Sequence, residues 1–158
     1  MVTMHSALDD VLGRASLFSD MSAADLAVLK PMLRRRDLKA TDVLFKQGDS
    51  GDSMMVLVQG TLVVRRVETD GQMVEVARLA SGEVVGEMSC LDPAPRSATV
   101  AAATPAVVYA LDRNLMTALK SNAPSLSAAL LDQLARVLTR RLRSVDERIS
   151  EMSGQDPR

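Results

Sequence analysis

Aromatic side chains make up only 2% of the 158 residues, and tryptophan is absent. Phe18, Phe45 and Tyr109 are too few and too scattered to build a platform on which the bases of a single strand could stack. Histidine is scarcer still. His5 stands alone near the start of the chain, where it is expected to be solvated, so the clustered imidazoles of a metal-dependent phosphodiesterase are excluded. The serines and Cys90 likewise have no histidine base at a suggestive spacing, which argues against nucleophilic catalysis. An enzyme and a bound metal or cofactor are therefore not expected. With no second cysteine an internal disulfide is impossible, and Cys90 is expected to be a small packed thiol. A formal net charge of −1 and a pI near 5.8 leave no whole-molecule field toward nucleic acid or anionic lipid. No apolar run approaches bilayer width, and residues 1–10 lack the basic-then-apolar order of a secretory signal. The expectation is a cytoplasmic chain with no membrane partner.

What is present is the composition of a globular protein, 47% hydrophobic and 25% charged, at a length that suits one domain. Residues 6–14 and 22–33 read as short helices, the second opened by the capping pattern Ser22-Ala23-Ala24-Asp25. Arg34-Arg35-Arg36 then reads as the basic end of that helix, closing a helical lead-in over 6–36. From Asp37 the hydrophobic period changes to two, with turn residues recurring at Gln47-Gly48-Asp49, Gln59-Gly60, Asp70-Gly71 and Ser81-Gly82. Many short strands imply a barrel or sandwich over 37–112. Asp70-Gly71 signals a tight hairpin in which both turn positions tolerate positive φ. Helical periodicity returns over 113–152, broken at Asn122-Ala123-Pro124, and leaves a tail at 153–158. The class is α+β, mainly β.

Within the last helix, Leu131, Ala135, Leu138, Leu142, Val145, Ile149 and Met152 recur at alternating steps of four and three, the heptad seam of a two-stranded coiled coil. A homodimer through this helix is expected, with Arg141 and Asp146 at g and e positions able to pair between chains. The alternative is an amphipathic helix packed on its own barrel. Arg140, Arg141 and Arg143 form a second local basic cluster, for which a solvated face is the default.

Residues 82–100 carry the most information. Gly86 and Glu87 stand where a strand should end and a short helix begin, so their amides are expected to be free donors. Arg96 supplies the only full positive charge of the run, on a planar guanidinium suited to two oxygens of one phosphate. A purely structural loop would need a carboxylate for that arginine, and Glu87 or Asp92 is expected to hold it when no anion is present.

Gly86-Glu87 followed by Pro95-Arg96-Ser97-Ala98-Thr99-Val100 resembles the phosphate-binding cassette of cyclic nucleotide-binding domains. The segments 43–52 and 58–64 resemble the turn and strands that precede that cassette, so the likeness spans roughly residues 17–149. The resemblance implies an eight-stranded, jelly-roll-like β-roll flanked by N-terminal helices and a long C-terminal helix. It implies that Arg96, Ser97, Ala98 and Gly86 hold a cyclic phosphate and that Glu87 bonds a ribose hydroxyl. Val76, Val84 and Val85, with Arg140 or Arg141 from the long helix, would surround the base. Two departures, Val85 before the Gly-Glu pair and Met54-Met55 in the strand after Gly51-Asp52, alter base packing without removing a phosphate donor.

The implied ligand is cyclic AMP, with cyclic GMP open, and the implied action is a movement of the C-terminal helix. No helix-turn-helix fits the residues after Ile149, and the net charge is close to neutral, so output is expected on an unidentified protein partner in trans rather than on nucleic acid. The competing reading is a dimeric interaction scaffold with a degenerate pocket.

Overall fold

Eight antiparallel strands form two four-stranded sheets in the computed structural model, which describes residues 12–154. The strands are β1 Arg34–Leu38, β2 Val43–Phe45, β3 Ser53–Gln59, β4 Leu62–Val67, β5 Met73–Leu79, β6 Val84–Val85, β7 Thr99–Ala102 and β8 Ala106–Asp112. One sheet has the order β1-β8-β3-β6 and the other β2-β7-β4-β5. The helices are α1 Ala23–Leu29, α2 Glu87–Leu91, α3 Arg113–Asn122 and α4 Pro124–Ser153. This is the roll with flanking helices that the sequence led us to expect. Of the expected helix at 6–14, residues 12–14 are helical and the remainder lies outside the described residues, as do His5 and positions 155–158.

The strand-like run Met54-Met55-Val56-Leu57-Val58 is apolar throughout because β3 has a core on each face. Met54, Val56 and Val58 join the cluster beneath the helices, whereas Met55 and Leu57 join the cluster between the sheets. β8 divides in the same way, with Val107, Tyr109 and Leu111 toward the helices and Ala106 and Val108 between the sheets. The period of two therefore sorts side chains between two cores here, not between core and water.

The basic triplet is not a helix end. Pro31 lacks an N–H and cannot continue α1, which stops at Leu29 and passes through a 3-10 turn, Lys30–Met32, into β1. Arg34 faces Asp112 at 3.6 Å, Arg35 bonds Asp37 at 2.9 Å, and Arg36 Nη1 donates to Leu44 O at 3.2 Å, tying the edges of the two sheets together. At the β4–β5 hairpin only Gly71 takes positive φ (83°), and its N–H donates to Glu68 O at 2.9 Å. Asp70 keeps an ordinary φ, so the loop is longer than the two-residue turn expected.

Two bulges decide which side chains enter the space between the sheets. Val43 pairs with Ala101 but Phe45 with Val100, so Leu44 is the extra residue and both Leu44 and Phe45 turn inward. In the hairpin, Val64 pairs with Ala77 but Arg65 with Glu75. Val76 is thus the extra residue of β5.

α4 opens at Pro124, where a missing N–H costs nothing, and runs for 30 residues, about 45 Å. Leu126, Leu130 and Leu134 bury one stripe against the helix-side core, and Val137 just after them is buried as well. From Leu142 onward every described residue is exposed, so the last three turns project beyond the roll. No helix of the described residues is long and apolar enough to cross a membrane.

Candidate functional site

Between the sheets, one end of the roll stays open as a cavity of about 250 Å³. Its floor is apolar, built from Val64, Ala77, Leu79, Val84, Val85 and Val100, and its polar groups collect at Gly86, Glu87, Ser97, Arg96 and Arg141. β6 ends at Val85, Gly86 turns the chain with φ 79°, and α2 starts at Glu87 with no side chain capping its first amides. An L residue would be strained at Gly86, and a Cβ there would lie 2.6 Å from Arg96 Nη1.

Arg96 is 5% exposed. Its Nη1 donates to Gly86 O at 3.0 Å, and its Nη2 donates to Ser53 O at 2.8 Å and to Ser53 Oγ at 3.3 Å. The guanidinium lies over the Phe45 ring, 4.1 Å from its centroid. Among the described residues no carboxylate is within ion-pair distance of it. The expectation that Glu87 or Asp92 holds Arg96 is therefore corrected: backbone carbonyls of β3 and of the turn before α2 do so. Burial pushes Arg96 below its ordinary value, with Asp52, Asp49 and Glu87 nearby acting in the opposite direction. Its Nε–H is buried with no partner. The main chain is fixed as well, since Arg96 N donates to Asp49 O and Gly48 N to Arg96 O, both at 2.8 Å, so the turn at 48–51 clamps the arginine's segment.

Glu87 is 7% exposed and pairs with Arg141, which also donates to Val84 O. Arg141 thus turns inward from α4 across the cavity mouth. Within one chain the Arg141 guanidinium is already engaged, so the pair with Asp146 of a second chain would compete with Glu87. Cys90, on the inner side of α2, is buried in the helix-side core, and burial pushes its thiol up, with Arg113 opposing.

This geometry accompanies a match over residues 35–122 to the family model for the cyclic nucleotide-binding domain. The chain belongs to the cyclic nucleotide-binding domain family. It is 26% identical over 149 residues to the CRP-like cAMP-activated global transcriptional regulator of Mycobacterium tuberculosis, covering 94% of this chain and 65% of the regulator. It is 37% identical over 87 residues to the cAMP-dependent protein kinase regulatory subunit of Mycosarcoma maydis, covering 55% of this chain and 16% of that one. The crystal structure of a cyclic nucleotide-binding domain from Methylobacillus flagellatus superposes with a TM-score of 0.82 at 27% identity, covering 92% of this chain and 82% of that one. The chain spans just under two thirds of the first regulator's length. The domain is thus of a regulatory, non-catalytic kind.

In this domain Gly86, Glu87, Arg96, Ser97 and Ala98 all line one cavity, as do Val84 and Val85. Val76 does not: the bulge leaves it 40% exposed outside and gives its place to Ala77. Arg140 is also outside, its Nε turned back to Arg136 O at 3.4 Å on the solvent side of α4. One residue on an α-helix is a rotation of about 100°, enough to separate Arg140 from Arg141. Along the seam, Leu131, Ala135, Leu142, Val145, Ile149 and Met152 are exposed, whereas Leu138 is half-buried and packs on the helix-side core. Phe45, Ser53, Gly51 and Met88 were not anticipated at the site. The one available signal was the rarity of aromatics, which makes Phe45 beside the glycine-rich turn conspicuous.

Proposed function

We propose that this domain is a sensor that binds cyclic AMP in the cavity and passes its occupancy to a partner through α4. One observation carries the reading: a buried, carbonyl-tethered arginine with an unpartnered N–H stands at the polar end of a small cavity whose remaining walls are apolar. A cyclic phosphate supplies the anion that such a cation lacks, the free amides at Gly86 and Glu87 add donors, and the apolar walls suit a purine. Arg96, Ser97, Ala98 and Gly86 take the phosphate, and Glu87 takes the ribose hydroxyl. Adenine is favoured by the names of the relatives, which include a cAMP-activated regulator and a cAMP-dependent kinase subunit.

Glu87 has one competitor, Arg141. A ribose hydroxyl that takes a lone pair of Glu87 loosens the clasp that seats α4 on β6, so the ligand binds one placement of the helix better than the other. The coupling is no larger than that difference in affinity. The bare half of α4 presents Leu142, Val145, Ile149 and Met152 as a seam for a second copy, through which both sensors respond together. A protein partner then reads the helix.

Thermal melts with cyclic AMP, cyclic GMP and a cyclic dinucleotide test the ligand. Cyclic AMP at a hundred times its Kd stabilises by ~2.7 kcal/mol, about 5–10 °C for a domain of this size. No shift with any of the three leaves the nucleotide-independent scaffold. Sedimentation tests the seam: Leu142→Glu with Ile149→Glu should turn a dimer into a monomer, and an unchanged mass would refute it. Both positions are exposed, so the substitutions leave the buried Leu134 and Val137 of the same helix in place.

A further inference from the structure

We infer that Phe45 is a positioning residue for the anion site, the wall of a slot that sets the plane of the Arg96 guanidinium; this rests on the cyclic-nucleotide reading above. The slot is assembled from three places in the chain. Phe45 covers one part of the cation, 4.1 Å from ring centroid to Cζ. The backbone of Gly51 closes against it elsewhere, so tightly that a Cβ would sit 2.4 Å from Nε and 2.7 Å from Cζ. Gly86 meets Nη1 and accepts from it. Ser53 O and Oγ hold Nη2.

The carbonyls alone fix where the terminal nitrogens sit, yet a guanidinium held at its nitrogens still tilts about the line joining them. A flat ring against the cation removes that tilt, and its negative face offsets part of the loss of water that burial imposes on the charge. An aliphatic side chain fills similar space but has no such face. The ring arrives there through the bulge at Leu44, which turns two successive residues of β2 inward. Without it, Phe45 would lie on the opposite face of the strand from Leu44.

Phe45→Leu and Phe45→Tyr test the inference in two independent readouts. In the ligand-free domain, the ¹⁵N–¹H signal of the Arg96 ε group should be shifted by the ring current, move toward its ordinary position in Phe45→Leu, and stay in Phe45→Tyr. Cyclic AMP should bind Phe45→Leu ~3- to 30-fold more weakly and Phe45→Tyr about as well as the unmodified chain. Adenosine, which has no phosphate, should not distinguish the three proteins. An ε signal that ignores Phe45→Leu overturns the slot, and a moved signal with unchanged cyclic AMP affinity overturns its part in binding. Failure of the unmodified chain to bind cyclic AMP counts against the function proposed above, while the ε signal still decides the slot.

Discussion

The cavity has two arginines, and they are held in opposite ways. Arg96 belongs to the roll: it is 5% exposed, and its acceptors are main-chain carbonyls and a serine hydroxyl that no ligand competes for. Arg141 belongs to α4: its side chain is 37% exposed, and it is engaged by Glu87, the carboxylate that a ribose would use. One cation is built into the wall and the other is on loan from a helix. The difference teaches how a rigid β scaffold can carry a responsive element, since the fixed charge offers affinity and the borrowed one offers a change of state.

Breaking the fixed side should have the largest effect. Arg96→Ala is expected to weaken cyclic AMP binding by ~2–5 kcal/mol, measured by calorimetry. The seated half of α4 comes next: Leu134 is 1% exposed, and Leu134→Ala should cost ~2–4 kcal/mol of stability in denaturant titration through a cavity beneath the helix. Gly86→Ala combines a positive φ with a Cβ 2.6 Å from Arg96 Nη1 and should cost ~1–3 kcal/mol of stability. Arg141→Ala removes the competitor for Glu87 and should tighten binding by only ~0.2–1 kcal/mol, the range of exposed ion pairs. Smallest of all, Ile149→Ala on the bare half, 57% exposed, should leave the melting of dilute protein within ~0.5 kcal/mol. Equal effects of Arg96→Ala and Arg141→Ala would erase the contrast between the two walls.

The parts of this domain that were legible in the sequence are those whose cause is local. Gly86 through Val100 is one contiguous run, so a turn, a short helix and an arginine could be read in order and fall in one cavity together. β3 and β8 were readable too, as short apolar runs between turn residues, although which side met helices and which met the other sheet was not. What failed depended on partners distant in the chain. The bulges at Leu44 and Val76 are pairings with β7 and β4, and they exchange Val76 for Ala77 and bring in Phe45. The tether of Arg96 is to Ser53, 43 residues away, and main-chain carbonyls leave no mark on residue type. Arg140 and Arg141 are chemically identical neighbours, distinguished only by which one the seated half of α4 turns toward Glu87.

A crystal structure of the domain with cyclic AMP tests the central claim most directly. It should place the cyclic phosphate within hydrogen-bond distance of Arg96 and the amides at the start of α2, with the ribose at Glu87 and the purine against Val84, Val85 and Ala77. A nucleotide whose phosphate points away from Arg96, or one bound outside this cavity, would contradict it.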